Sequence, residues 1–354
     1  MKIVYIQTYP AYHDFGDSEQ WLLLDNRDKW MPGITKELGH ETELWCIANN
    51  PKVKHYSWKE GISYPIRFFR PDSMSGKTKF HKSSQMIAFA KQQNVDLYVL
   101  KGMDGGAGTS LLNEVILRKR IPFAFVIGGK WESSLSHKAH AVLYETAHQK
   151  DLLKQKTWKF WSKPCTEEQL IHLPKSTNTD VFKPKSSIEK KYDIISMGRL
   201  IPYYKNYDAL TSLAGHLRIG FIGGGPELER FRNKFPDIDW IGPVPNKEVP
   251  DYLNQSKLFF YTGLRDHFPR VIVESASCGV PVVAFADIFK LDVIPESVGV
   301  LVGKDTFKEE IISLIQNTTR IDELSQSCRM YAIENWNKES SRATIQKMLE
   351  GLPK

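Results

Sequence analysis

Cysteine is scarce: only Cys46, Cys165, Cys278 and Cys328 occur, and no two of them stand at CxxC or other metal-like spacing. That argues against a disulfide scaffold or a cysteine-held zinc ion and leaves reduced, buried thiols as the plain reading. No apolar run approaches the roughly 20 residues that cross a bilayer, which excludes a membrane-spanning helix. The opening stretch MKIVYIQTYP is too short and too β-branched for a signal-peptide core and lacks a small-residue cleavage site, so the expected compartment is the cytoplasm. HExxH spacing is absent, and with it the usual helical zinc-protease signature.

What is present is a chain of 354 residues, 41% hydrophobic and 25% charged, long enough that two domains are the default expectation. Its charge is uneven. Residues 1–185 carry 27 Lys and Arg against 19 Asp and Glu, a balance of +8, whereas 186–354 carry 21 against 22, a balance of −1. The basic half is suited to an anionic partner, whether an acidic acceptor or a membrane surface, with an unpartnered basic surface as the plain alternative. No nucleic-acid recognition motif accompanies it, so specific nucleic-acid binding is not expected.

Short apolar runs alternate with helical patterns along the whole chain, which argues parallel sheets covered by helices. In the first half the strand candidates are KIVYIQT, ETELWCI, VDLYVL and PFAFVIG, with helices expected over 27–38, 85–93 and 111–120. The second half continues with YDIISMG, LRIGFIGG, DIDWIG, KLFFYTG and PVVAF, then helical patterns over 307–316, 321–334 and 338–352. The fold class is therefore α/β, two doubly wound Rossmann-like domains. The expected divisions are 1–165, a Lys-, Ser-, Thr- and Pro-rich linker at 166–190, a second domain at 191–335, and a final helix at 336–354 that crosses back to the first domain.

Three constellations of the second half carry chemistry. SMGRLIPYYKN follows a strand and sets Arg199 and Lys205 six residues apart, an arrangement able to donate to the oxygens of a diphosphate; a surface ion pair is the ordinary alternative. GFIGGGPELERF follows another strand, and its glycines, Gly224 at their centre, allow close backbone approach to a ligand. This turn is not GxGxxG and no Walker-type Lys-Ser/Thr follows it, which weakens hydride-transfer and NTP-hydrolysis readings. DHFPRVIVESASCGVPVVA places Asp266 in a loop and Glu274 on the helix it leads into. A carboxylate accepts from paired sugar hydroxyls, and the helix start near His267, Phe268, Pro269 and Arg270 offers N–H groups to phosphate, Pro269 excepted.

In this order these segments, with NTDVFKP at 178–184 and ENWNKES at 334–340, resemble the retaining GT-B glycosyltransferases of family 4. The resemblance implies two Rossmann-like domains facing each other across a cleft and transfer of a hexosyl unit from a nucleotide diphosphate sugar, a UDP-sugar ahead of a GDP-sugar. It implies no metal or other cofactor. Arg199 and Lys205 would hold the diphosphate, Glu274 would accept from the ribose, and Asp266 would contact the donor sugar. Backbone around Val244, in WIGPVP, would lie beside the base. The acceptor would be a glycan, a lipid-linked sugar or a small molecule held by the basic first domain, with peripheral contact at the inner membrane face as an extension.

The first half resembles the family in rhythm, but the position of its usual cleft histidine is Gly128. His13, His137 and His140 are the candidates to replace it, each equally readable as a loop histidine. Tyr9, Tyr12, Phe15, Trp21 and Trp131 could stack on an acceptor or simply pack, and Arg118, Lys119 and Arg120 read as a basic helix end. Two other readings stay open on the same fold: a nucleotide-sugar epimerase or hydrolase, and a non-catalytic nucleotide-sugar-binding protein.

Overall fold

The computed structural model describes residues 1–7, 18–73, 80–101, 106–128, 135–155, 163–201 and 206–352. The chain divides into two compact units, Met1–Pro174 with Ser341–Lys354, and Lys175–Ser340.

The first unit is built on eight strands: β1 (Lys2–Gln7), β2 (Glu41–Ile47), β3 (Lys52–Lys59), β4 (Ile62–Phe69), β5 (Leu97–Lys101), β6 (Phe123–Val126), β7 (Ala141–Tyr144) and β8 (Leu170–His172). Their order is β3-β4-β2-β1-β5-β6-β7-β8, so the chain winds outward in both directions from β1 and β5. All neighbours run parallel except β3 and β4. β1 and β2 read as continuous apolar runs because both of their faces are covered. β3, KVKHYSWK, at the sheet edge holds only half-buried and exposed positions, which hides it from a search for apolar runs. β7 and β8 escape for a second reason: they are four and three residues long. β8 lies inside the stretch expected to be linker, and it pairs with β7 from Leu170 to His172.

The helix Arg342–Leu349 belongs to this first unit. Ile345, Met348 and Leu352 are buried in the same core as Ile3, Trp21 and Ile34. Thr344 Oγ1 donates to His172 O at 2.7 Å, and Arg342 pairs with Glu37 at 2.7 Å.

The second unit holds β9 (Tyr192–Met197), β10 (Ile219–Ile222), β11 (Ile238–Gly242), β12 (Ser256–Tyr261), β13 (Val282–Phe285) and β14 (Gly299–Val302), in the order β11-β10-β9-β12-β13-β14. Every neighbouring pair is parallel. Here too the winding reverses, between β9 and β12. Such a reversal leaves a crevice at the carboxyl ends of the two central strands, the usual ligand position in open α/β sheets. Leu258, Phe259, Phe260 and Tyr261 of β12 are all buried, feeding the cores on both faces of the sheet. Truncating such a side chain to Ala costs about 3–5 kcal/mol.

All four cysteines are buried and free. Among the described residues no helix is long and apolar enough to cross a membrane.

Candidate functional site

Three loops of the second unit meet above the carboxyl ends of its central strands. The loop after β9 is laced to the glycine turn after β10: Gly198 N donates to Ile222 O and Leu200 N to Gly224 O, both at 2.9 Å. Gly223 N in turn donates to Gly242 O at the end of β11, 2.8 Å away. Approach this close admits no side chain. A Cβ on Gly223 would stand 2.0 Å from Gly198 O, and one on Gly225 2.3 Å from Leu200 O. The glycines thus serve a loop-to-loop contact, which leaves half-buried Gly224 at the crest of the turn.

Arg199 is carried on this braced loop. Tyr207 Oη donates to its carbonyl at 2.6 Å, while its own side chain is exposed. Among the described residues no carboxylate pairs with it, so the ion-pair alternative for Arg199 has no partner here. Asn206 N then donates to Thr262 O at 2.7 Å, tying the end of the same loop to the end of β12. Asn206 Oδ1 accepts from Ala209 N at 3.1 Å and so caps the helix Tyr207–Thr211. Lys205 lies outside the described residues.

The loop after β12 carries Asp266. Its Oδ2 accepts from the hydroxyl of Tyr261, the last residue of β12, although Asp266 itself is exposed. Burial, then the charge of Asp266, pushes the Tyr261 phenol far above its ordinary range, so it stays a donor. Gly263 makes the arrangement possible, because a Cβ there would fall 2.3 Å from the Tyr261 ring. Phe268 is buried edge-on against Trp336, ring centroids 5.8 Å apart, and fixes the loop before the helix Arg270–Ser277 begins. Pro269 occupies the N-cap, where a missing N–H costs nothing.

Glu274 sits one turn into this helix and is only 5% exposed. Arg270 Nε stands 4.0 Å from its Oε1, beyond hydrogen-bond reach. Burial raises the Glu274 pKa, against the pull of Arg270 and then Lys175. Ser275 and Ser277, both fully buried, turn their hydroxyls onto Val280 O and Val273 O at 2.7 and 2.6 Å, which lets the helix approach the sheet. Val244 lies just past β11, half-buried, after Gly242 and Pro243. His267 is half-buried in the loop after β12.

The described part of the structure thus brings Arg199, Gly224, Asp266 and the 267–270 loop to one edge of the sheet, with Glu274 buried on the helix behind that loop. Two residues of this neighbourhood carry no motif in the sequence. Tyr261 reads as one more strand aromatic, although its place at the strand end, before Thr-Gly, marks it as able to face the loop. Lys175 sits in the stretch read as linker.

The first unit's candidates separate differently. His140 Nε2 is 2.9 Å from Met348 O, tied to the C-terminal helix, and His137 is half-buried. Gly128 is exposed just beyond β6, and among the described residues a Cβ there would meet nothing within 4 Å. Trp21 is core, 2% exposed and edge-on to Phe68 at 6.0 Å, so it offers no stacking face. Arg118 and Lys119 close a helix that ends at Arg120 in the left-handed conformation, and Lys119 Nζ donates to Lys91 O. His13, Tyr9, Tyr12, Phe15 and Trp131 lie outside the described residues.

Known proteins resemble this chain in sequence over the second unit and in fold over its length. Residues 178–335, nearly all of the second unit, match the family described as "Glycosyl transferases group 1". A phosphatidylinositol N-acetylglucosaminyltransferase component from Arabidopsis thaliana is 28% identical over 198 residues, 50% of this chain and 43% of that protein. A GDP-mannose-dependent alpha-(1-6)-phosphatidylinositol monomannoside mannosyltransferase from Mycolicibacterium smegmatis is 25% identical over 222 residues, 51% of this chain and 56% of that protein. The matches span less than two thirds of these relatives. HepE from Anabaena, solved with UDP and glucose, superposes with a TM-score of 0.69 over 99% of this chain and 100% of its own, at 15% identity. The fold is accordingly GT-B, two parallel-sheet α/β domains.

Proposed function

We propose that this protein is a retaining glycosyltransferase that moves a sugar from a UDP-sugar to a hydroxyl of a glycan, glycolipid or small-molecule acceptor. The observation that carries the reading is the gathering of an exposed Arg199, which pairs with no carboxylate among the described residues, the glycine turn and Asp266 at the β9–β12 reversal, with a buried Glu274 alongside, inside a unit that matches the group 1 family.

In this reading the diphosphate lies over the glycine turn and the start of the helix Arg270–Ser277. Arg199, with Lys205, offsets the charge that builds on the departing diphosphate, a stabilisation felt most in the transition state. Two side-chain cations make a metal ion unnecessary. Glu274 accepts from the ribose hydroxyls, backbone near Val244 borders the base, and Asp266, oriented by Tyr261, faces the donor sugar. The leaving phosphate takes the acceptor proton. The choice of UDP is supported by the nucleotide bound to HepE, whereas the mannosyltransferase relative takes GDP-mannose. The acceptor belongs to the basic first unit, and the phosphatidylinositol-modifying relatives favour a lipid-linked acceptor met at the cytoplasmic membrane face.

The test is release of UDP from UDP-glucose and UDP-N-acetylglucosamine in EDTA, with and without liposomes containing phosphatidylinositol, alongside GDP-mannose. Acceptor-dependent release with an α-linked product supports the reading. Release independent of every acceptor points to a hydrolase, conversion of the donor to an isomeric nucleotide sugar without release points to an epimerase, and nucleotide binding without turnover points to a binding protein.

A further inference from the structure

On the first unit, the helix that follows β5 runs as Gly106–Leu111, a π-helical turn Leu112–Ile116 and a last turn Leu117–Lys119. Ala107, Leu111, Leu112, Val115 and Ile116 bury one face of it in the core. The opposite face is polar. Thr109 and Asn113 are exposed, Ser110 and Glu114 half-buried, and each pair stands four residues apart and so on one side of the helix. Turns of the π type are rare and occur frequently at functional sites. The segment leading into the helix Ser84–Lys91 packs against this helix because Gly106 has no side chain: a Cβ there would stand 2.3 Å from Phe80 O. Asp72 braces that segment, its N donating to Lys82 O at 2.8 Å and its Oδ1 accepting from Ser84 N at 2.7 Å. Segment and helix together line a depression of about 380 Å³, with Phe80, Lys82, Ser110, Asn113 and Glu114 among its walls.

Among the described residues no hydrogen bond or ion pair engages the side chains of Lys82, Ser110, Asn113 or Glu114. One exposed phenylalanine is ordinary on a protein surface, but the Phe80 ring, 59% exposed, shares its depression with these four uncommitted polar groups. The volume falls within the roughly 300–1,000 Å³ of small-molecule sites. The charges of Lys82 and Glu114 offset each other, which favours neither an anion nor a cation. A neutral molecule rich in hydroxyls, with one apolar face, fits these walls. An amide and a carboxylate accept from neighbouring hydroxyls, an ammonium and a serine donate to them, and the C–H groups of a sugar ring meet the negative face of an aromatic ring. We propose that this depression is a saccharide-binding site, which holds one sugar unit between the Phe80 ring and the side chains of Asn113 and Glu114. All of its residues belong to the first unit, so the site goes beyond the donor-nucleotide reading and stands without it.

The experiment is saturation-transfer NMR of the full chain, without nucleotide, against the methyl glycosides of glucose, galactose, mannose and N-acetylglucosamine and the disaccharides maltose and chitobiose. At least one should bind, with transfer strongest to the C–H protons of one ring face. Phe80→Ala and Asn113→Ala should each weaken that binding by about tenfold. Both side chains are exposed, so the variants should melt with the wild type. Calorimetric titration with UDP and GDP, run on the same three proteins, should give one unchanged nucleotide affinity. Absence of binding by every sugar of the panel overturns the proposal, and so does binding that survives both substitutions, since it then belongs elsewhere on the chain. Saccharide binding that depends on Phe80 and Asn113 in a protein that takes neither diphosphate would uphold the saccharide site and overturn the donor-site reading alone.

Discussion

The hydroxyl of Tyr261 donates to the carboxylate of Asp266, so the last side chain of a buried central strand grips the first acid of the loop that follows it. Asp266 is exposed and would otherwise sample many rotamers. The contact converts a flexible acid into a fixed one, and Gly263 is the residue that leaves room for it. Orientation of this kind is a large part of what a catalytic site supplies.

Tyr261→Phe keeps the ring and its packing against Phe289 at 5.4 Å but frees Asp266. Turnover should fall about tenfold while UDP affinity changes little, because in this reading the Asp266 carboxylate faces the donor sugar and not the nucleotide. Steady-state kinetics together with UDP titration separate the two. A parallel loss of both would mean that Tyr261 supports the whole loop.

Arg199→Ala should lower turnover by roughly 10²–10³ and leave the melting temperature within about a degree. Its guanidinium is exposed, and the loop is held by backbone bonds from Leu200 and Asn206 and by the Tyr207 hydroxyl on the Arg199 carbonyl, none of which the substitution touches. Unchanged turnover in a folded variant would remove Arg199 from the site.

Glu274→Gln trades function for stability. Burial raises the pKa of Glu274 in the folded chain, so the native state binds more protons than the unfolded one, and stability is lost as pH climbs from the unfolded value toward the raised one. At neutral pH the uncharged amide should therefore stabilise the second unit, by on the order of 1 kcal/mol, while weakening ribonucleotide binding. Thermal denaturation at neutral pH and again under acid tests the sign, since the gain should shrink on acidification.

The opposite sign governs Glu37. Burial works to raise it, but hydrogen bonds from Trp58 and Lys59 and from Arg342 on the C-terminal helix hold it at about 2. The stability it lends is full above the ordinary carboxylate value of 4.5 and drains away as pH falls from there toward 2. Amide exchange in Arg342–Leu349 should accelerate over that acid window, and Arg342→Ala should bring the acceleration to higher pH.

Much of the second unit is readable directly because its strands are buried on both faces: YDIISM and KLFFY show little but apolar residues, and glycine marks the turns at Gly198, Gly223 and Gly279. The short β14, GVLV, gives too little signal to stand out between stronger patterns. In the first unit the antiparallel edge β3 carries lysines, histidine and tyrosine on a half-solvated strand, and no apolar rhythm announces it. β8 hides among polar residues because three residues suffice to extend a sheet edge. The site is legible where function needs a residue type at fixed spacing, as with Arg199, the glycines, Asp266 and Glu274. Tyr261 reaches the site only through folding, from a strand end, and spacing along the chain says nothing of it.

The most direct test of the central claim is the heat of binding of UDP, in EDTA, to wild type, Arg199→Ala and Glu274→Ala. The account predicts metal-independent binding to wild type that each substitution weakens by about tenfold or more; a ligand at a hundred times its dissociation constant should also stabilise the wild type by about 2.7 kcal/mol. Equal affinity in all three proteins would contradict the placement of the donor nucleotide at the β9–β12 reversal.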